Sequence, residues 1–573
     1  MGLFKSNEKV EETVIFDPSG SEIEEGSLHF TVEGGENSNR LTIQEASGAP
    51  VEQHSPLGYS VGWVTIVFLN LSMMIGTGVF STPSTILSGT GSVGLSLLYW
   101  FIGYLIAFST LSVYLEFASY FPSRSGSEVV YLEQSFPRPL YLFPTIFAVQ
   151  TVLFSFSSSN AIVLAEYLFD LAGTTPTEWQ EKGVAVAAYT VAVLVVIFHN
   201  RASLLLSNAI GVVKLMTLIF IGITGLVVLG GHTSVENPRA NFKNSFSGTS
   251  SNATVYGATN ALIDIVFSYA GYTNAIPSKL SGGALLSLTI TAALYILANI
   301  AYFSCATVEE IENSEQIVAA LFFEKVFGQG GAAKALNFLI CLSAFGNLVA
   351  VLIGQSRVLR ECGRQGVLPW TKFWTSTKPF GTPIGPYLVK WGLTVIMIIA
   401  PPAGDAFDFV VDLSIYPSNL FSFILTIGLI ITRRRRARLG WGRGEYRCWN
   451  VAVGFSILTT SYMLVMPWYP PTTGADGGDV SFWYAIYIVT GLSIIGACIV
   501  YYYVWVWLIP KWGDYQLRQT ILEEDNGAVA HVLVKIPNSE IESWDARYDT
   551  AGRLRRVNRN TGTSSPSDEK SAE

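Results

Sequence analysis

Apolar runs close to twenty residues long recur along this chain, at about 61–87, 93–119, 140–168, 184–199, 205–229, 255–274, 284–304, 335–353, 386–402, 407–431, 450–467 and 483–509. A helix of that length crosses the roughly 30 Å hydrocarbon layer of a bilayer, where the backbone must satisfy its own N–H and C=O groups because water is absent. The pattern predicts an all-α polytopic membrane protein with about twelve transmembrane helices. Composition agrees: of 573 residues, 50% are hydrophobic and only 14% are charged, which is too apolar for ordinary soluble domains.

Residues 1–56 depart from this pattern. They are polar and acidic, with Glu11, Glu12, Glu22, Glu24, Glu25, Glu33 and Glu36, and lack the basic-then-apolar order of a secretory leader, so a solvated tail is expected. Five cysteines, Cys305, Cys341, Cys362, Cys448 and Cys498, show no metal or redox spacing and read as small buried hydrophobes. No metal and no cofactor is expected.

Charge sets an orientation. With the N-terminus inside, the connections on that side hold Arg124, Arg138, Arg201, Lys279, Arg357, Arg360, Arg364, Lys372 and Lys378, then the run Arg433 to Arg436 with Arg438, Arg443 and Arg447. The opposite connections hold only Lys182, Arg239, Lys243, Lys325 and Lys334. Basic residues collect on the cytoplasmic side, so both termini are expected there, and the arginine run reads as a topology anchor with no nucleic acid as partner. The sequon Asn252-Ala253-Thr254 then falls in an outer loop, where glycosylation is permitted, whereas Asn70-Leu71-Ser72 lies inside a span.

Two spans carry interruptions. In the first, Met73-Met74-Ile75-Gly76-Thr77-Gly78-Val79-Phe80 sets two glycines and a threonine at mid-depth; in the sixth, a second break sits at Phe267-Ser268-Tyr269-Ala270-Gly271-Tyr272. Broken helices in corresponding places of two halves are the best sequence pointer to a substrate site in a secondary transporter. Unwinding at Gly76-Thr77-Gly78 frees backbone amides for an anionic carboxylate, with the Thr77 hydroxyl as a further donor. Unwinding near Ala270-Gly271 frees carbonyl oxygens suited to an ammonium group. A zwitterion with its two charges close together, an α-amino acid, would satisfy both sets.

Several strings extend the reading: Gly76-Thr77-Gly78-Val79-Phe80, Asn241-Phe242-Lys243-Asn244-Ser245-Phe246, Phe267-Ser268-Tyr269-Ala270-Gly271-Tyr272-Thr273-Asn274, Asn299-Ile300-Ala301-Tyr302-Phe303, Gly363-Arg364-Gln365-Gly366-Val367-Leu368-Pro369, Lys378-Pro379-Phe380, Ala400-Pro401-Pro402-Ala403-Gly404-Asp405-Ala406 and Pro510-Lys511-Trp512-Gly513. In that order they resemble the amino acid, polyamine and organocation superfamily, its L-type amino acid transporter group, and most closely fungal high-affinity methionine permeases. The resemblance implies a LeuT-type core of two inverted five-helix repeats over residues 57–431. A basic cytoplasmic loop with two further helices would follow over 432–510, and a cytoplasmic C-terminal tail over 511–573. It places the substrate carboxylate at Gly76, Thr77 and Gly78 and the carbonyls of Met74, Ile75, Phe267 and Ala270 near the amino group. The rest of the sixth-span string, Ser268, Tyr269, Gly271 and Tyr272, is counted with the site, and Phe267 with the third, eighth and tenth spans would shape the side-chain pocket.

Lys214 interrupts the fifth span within Ile210-Gly211-Val212-Val213-Lys214-Leu215-Met216. A charge at that depth costs about 3 kcal/mol on insertion scales, and burial favours the neutral amine, which would let Lys214 take up and release a proton. The resemblance implies the same, since a lysine here looks like the one that replaces sodium in proton-coupled relatives. The alternative is a lysine that only hydrogen-bonds unwound carbonyls of the first span. Asp264 reads as a water-exposed acid at the outer mouth, or a second proton site. Glu116, Glu166, Asp170, Asp408 and Asp412 lie near span ends, where solvated interface positions are the default.

Between Asn274 and the Asn299 string, relatives carry a longer half-helix and a basic loop. Here only Ala275 to Gly283 intervene, with Pro277 opposing a helix. About nine residues fewer amounts to about 13 Å of helix, which predicts a leaky inner gate.

The leading expectation is a proton-coupled importer of methionine or a similar neutral amino acid across a fungal plasma membrane, with the amino acid, the proton and the lipid bilayer as partners. The tail lysines Lys5 and Lys9 would be targets for a ubiquitin-ligase adaptor, as in related fungal permeases. A transporter-like nutrient sensor, and a permease for another neutral amino acid, cysteine or a polyamine, are the alternatives. An enzyme is not expected, because His29, His54, His199, His232 and His531 all lie in tails, loops or span ends.

Overall fold

The structure, a computed structural model, describes residues 22–25, 28–31, 63–121, 126–198, 200–233, 235–246, 254–273, 281–314, 316–438, 443–472, 474, 480–523, 529–548 and 552. Lys5 and Lys9, the sequon's Asn252 and Ala253, and the shortened connection after Thr273 lie outside the described residues.

The first span is α1 (Trp63–Met74), α2 (Gly78–Ser81) and α3 (Pro83–Thr90); α4 (Val93–Tyr120) is the second. After the short α5 (Glu128–Ser135), the third span is split into α6 (Leu142–Leu153) and α7 (Ser158–Ala172). Then follow α8 (Glu178–Phe198), α9 (Asn200–Leu229), α10 (Val255–Tyr269) and α11 (Ser281–Cys305). Two short helices, α12 (Val308–Glu312) and α13 (Val318–Phe327), lead into α14 (Gly331–Arg364); α15 (Thr371–Thr375) leads into α16 (Ile384–Ile399) and α17 (Ala403–Arg438). The last pair is α18 (Asn450–Val465) and α19 (Ile486–Tyr502), prolonged by α20 (Ile509–Gly513).

Every apolar run of the sequence thus has a helical counterpart. Among the described residues nine helices are each long and apolar enough to cross a membrane, ten if the bent first span is counted. Their outward faces carry large apolar side chains such as Leu205, Met216, Ile223, Val451 and Leu458, while Trp179, Trp449 and Trp512 stand exposed beside helix ends. An apolar girdle with tryptophans at its rims is what lipid tails and headgroups select.

Local chemistry fixes the ends. Ser92 precedes α4 with extended backbone and accepts from the Leu95 amide, and Thr254 accepts from Gly257 at the start of α10. Thr307 and Glu310 form a reciprocal capping box on α12. Pro83 opens α3 where no amide partner exists to lose.

The helix that carries the first break is central: α1 packs against α9, α11 and α14, and α10 against α3, α4 and α17. Two regions go beyond the expected tails. A short ladder pairs β1 (Glu22–Glu25) with β2 (Leu28–Thr31). In the C-terminal region β3 (Tyr515–Glu523) and β4 (Val529–Pro537) form an antiparallel hairpin, followed by α21 (Ile541–Arg547). The hairpin packs on α14 and α15, with Gln519 Nε2 donating to the Gln365 carbonyl.

The expected solvated interface positions of Glu116 and Asp412 are corrected. Glu116 is not a solvated interface acid: it is fully buried, and accepts from Arg433 at 2.7 and 2.5 Å, from Tyr120 at 2.6 Å and from the Cys448 amide at 2.8 Å. A buried carboxylate demands such donors. The arginine run is correspondingly bound to protein, with Arg435 on the Gln134 carbonyl and Arg436 over the Tyr120 ring. Asp412 is also buried. All five cysteines are free and buried.

Candidate functional site

Helix α1 stops at Met74, after which the Gly76 amide turns back onto the Met74 carbonyl at 2.7 Å. The helix resumes at Gly78, pauses at Thr82 and continues from Pro83, so that Ile66–Ser81 and Pro83–Thr90 meet at 59°. Glycine lowers the cost of leaving the helix, and the new start leaves its first amides without intrahelical partners. In the sixth span α10 ends at Tyr269; Ala270 is extended at φ −57°, ψ 143°, and Gly271 follows with φ +112°, a conformation that strongly favours glycine.

The two breaks touch. A Cβ on Gly78 would lie 2.5 Å from Ser268 Oγ and 2.7 Å from Ser268 Cα, and one on Gly271 would lie 2.8 Å from Met73 Cβ. The chains therefore cross at both points closely enough to exclude any side chain. Tyr295 of α11 bridges the junction, its hydroxyl 2.5 Å from the Met74 carbonyl oxygen and 3.0 Å from that of Ser268. The Ser268 and Thr82 hydroxyls share a hydrogen bond of 3.1 Å. Lys214 of α9 reaches the same break from the other side, wholly buried, donating to the carbonyls of Ser72 (2.6 Å) and Ile75 (2.8 Å).

A sequence model of the amino acid permease family matches residues 61–493. The chain belongs to that family. This permease is 34% identical to the high-affinity methionine permease of Saccharomyces cerevisiae over 85% of its own length and 86% of the relative's. It is 30% identical to the low-affinity methionine permease of the same yeast, over 84% and 89%. To the b(0,+)-type amino acid transporter 1 of Mus musculus it is 27% identical, over 66% and 77%.

In the permease, Met74, Ile75, Gly76, Thr77 and Gly78 are all buried at the junction. Three carbonyls named for an amino group already have partners: Met74 takes Tyr295 and the Gly76 amide, Ile75 takes Lys214, and Phe267 takes the Ala270 amide at 3.0 Å. Each carbonyl oxygen has two lone pairs, so Ile75 and Phe267 keep acceptor capacity while Met74, with two donors, is filled. The Thr77 hydroxyl donates to Asn160 Oδ1 of α7 at 2.9 Å, which commits its one proton.

The sixth-span residues divide by direction. Phe267 meets the Phe407 ring of α17 edge-on at 6.0 Å, so the tenth span contributes an apolar wall. Ser268 lies against Gly78. Tyr269 turns away, donating to the Trp100 carbonyl and packing with Trp100 and Tyr295. Tyr272 is half-buried beyond the break. Asp264 is 7% exposed and its carboxylate accepts from Thr85 at 2.7 Å, so it ties α10 to α3 and is no water-exposed acid at the mouth.

Four participants escaped the sequence reading. Tyr295 sits in an apolar span where a lone tyrosine reads as a core aromatic. Asn160 and Asn347 hold the break from α7 and α14, Asn347 Nδ2 donating to the Met73 carbonyl at 2.9 Å. Lys390, the fourth, is the one charge in α16; the rule that singles out Lys214 applies to it equally. It reaches a break in the third span, which the apolar run 140–168 concealed because Phe154 to Ser157 contain neither glycine nor proline.

Proposed function

We infer that this amino acid permease imports methionine or a similar neutral amino acid across the plasma membrane, coupled to protons, by alternating access around the paired breaks. One observation carries the reading: the first and sixth spans are interrupted at the same place and abut through Gly78 and Gly271. Amides freed at Thr77 and Gly78 suit a carboxylate, and residual acceptor capacity on Phe267 and Ala270 suits an amino group. The Phe267 and Phe407 rings offer a wall for an apolar or thioether side chain. The yeast relatives, both named methionine permeases, favour that cargo.

Coupling rests on Lys214. Its two acceptors match the two N–H bonds of a neutral amine, and they are carbonyls of the helix that must rearrange during the cycle. Gain or loss of the third proton would change how firmly α9 grips the break.

The test is uptake of labelled methionine by the full-length chain in cells lacking their own methionine uptake, with a panel of unlabelled amino acids as competitors. Gly78→Val should abolish uptake while the protein still reaches the cell surface. Normal transport by surface-expressed Gly78→Val would remove the breaks from the substrate path. Failure of methionine to enter or compete, with another amino acid succeeding, would reassign the cargo and leave the site standing.

A further inference from the structure

The third span breaks between Leu153 and Ser158, and its loose ends meet a lysine. Lys390 is wholly buried, the single charged side chain between Ile384 and Ile399. Its Nζ donates to the Ser155 carbonyl at 2.5 Å, to the Ser157 hydroxyl at 2.7 Å and to Gln355 Oε1 of α14. Thr394, one turn further along the same face of α16, accepts from the Ser157 amide at 3.1 Å. Three oxygen acceptors match the three N–H bonds of an ammonium group.

The break itself explains the need. Phe154 closes α6 on the Gln150 carbonyl, leaving the Ser155 carbonyl beyond the end of the helix at membrane depth. An orphaned carbonyl there is costly. Ser157 occupies the N-cap of α7, yet its side chain does not cap its own helix; its oxygen is turned to Lys390 instead. Position and tilt of the first turn of α7 are thus set by α16. That turn is Ser158, Ser159 and Asn160, and Asn160 Oδ1 is the acceptor of the Thr77 hydroxyl.

We propose that Lys390 is a positioning residue for the transport site, acting from outside it: it fixes the broken corner of the third span so that Asn160 holds Thr77 in register at the first-span break. The proposal rests on the reading of Thr77 as part of the substrate site. The route is short and continuous, from Lys390 through Ser157 and one helical turn to Asn160 and Thr77. Lys390 touches no substrate; it decides where a neighbour of the substrate sits.

The experiment compares labelled methionine uptake by Lys390→Met, Ser157→Ala and Asn160→Ala, each quantified at the cell surface, and by the Lys390→Met/Asn160→Ala double variant. Met retains length and loses the donors. Lys390→Met should raise KM about tenfold with a smaller change in maximal rate, a magnitude ordinary for coupling between linked sites. Ser157→Ala should raise KM in the same direction by less. Once Asn160→Ala has cut the route, adding Lys390→Met should change KM less than about twofold, since interactions in one chain of contacts do not add. Should Lys390→Met fail to reach the surface, Ser157→Ala decides alone: raised KM supports the proposal and unchanged KM overturns it. Independent, multiplying effects of Lys390→Met and Asn160→Ala would also overturn it. If Gly78→Val is inactive while Lys390→Met and Ser157→Ala keep their KM, the substrate site stands and this inference falls. If surface-expressed Gly78→Val transports normally, the site reading has failed first.

Discussion

Lys214 and Lys390 are the same side chain, equally buried, each set against a broken span, yet their surroundings differ. Lys214 has two acceptors, both carbonyls of the first span on either side of its break. Lys390 has three, drawn from the third span and from α14, two of them side-chain oxygens. An amine with two acceptors is satisfied without its third proton, whereas three acceptors from two elements fit a standing ammonium. On the proposed coupling role Lys214 would be the mobile charge and Lys390 the fixed one.

The largest effect that would break this comparison is on coupling. Lys214→Gln keeps donors but cannot exchange a proton, so accumulation driven by a pH gradient should vanish while exchange of internal for external substrate survives. Persistent accumulation by that variant would make both lysines fixed ties. Next comes the crossing itself: Gly78→Ala already places a Cβ 2.7 Å from the Ser268 backbone, and uptake per surface molecule should fall at least about tenfold. Uptake at the native level would show that the two breaks separate readily.

Tyr295→Phe removes the hydroxyl shared by the Met74 and Ser268 carbonyls. The Met74 carbonyl keeps the Gly76 amide, so the loss is that of an ordinary hydrogen bond, about 0.5–1.5 kcal/mol, and the purified variant should melt lower and transport several-fold more slowly. An unchanged melting point would mean that the bridge carries no load.

The smallest effect belongs to a third lysine, Lys325, half exposed at 39% and paired with Glu310 in α12. A hydrogen bond from Lys325 holds the Glu310 carboxyl below the ordinary carboxylate range. A depressed carboxyl contributes stability that is present above its unfolded value and lost as pH falls through the folded one, so only acidification releases it. Lys325→Ala should change stability near neutral pH by less than about 0.5 kcal/mol, as exposed pairs do. A melting shift rivalling that of Tyr295→Phe would contradict the distinction between buried and surface lysines.

Much of the fold was legible because lipid imposes length and apolarity on each span separately, and those are properties of contiguous residues. The breaks at Gly76 and Gly271 were legible for a related reason, since glycine marks where a helix is permitted to end. The third-span break was not, because no residue in Phe154-Ser155-Phe156-Ser157 forbids a helix. The C-terminal hairpin had a signal only in the short run Val532-Leu533-Val534 with Ile536. That cue is weak beside twelve strong apolar runs.

Glu116 and Asp264 mark the limit most clearly. Their depth along a span followed from counting residues, but exposure depends on what lies across the interface. Arg433 and Thr85, distant in sequence, supply it.

Sequence alone determined that this chain crosses a membrane many times, that its first and sixth spans are interrupted, and that a lysine is buried in the fifth. Tertiary structure alone decided that the two interruptions face each other, that Tyr295 joins them, and that a second lysine secures a third break. The division has a physical cause. Helices in lipid form from local hydrogen bonding and hydrophobicity, whereas the partners of freed carbonyls and buried amines come from segments up to 274 residues away, as with Asn347 and Met73, and only packing brings them within bonding distance.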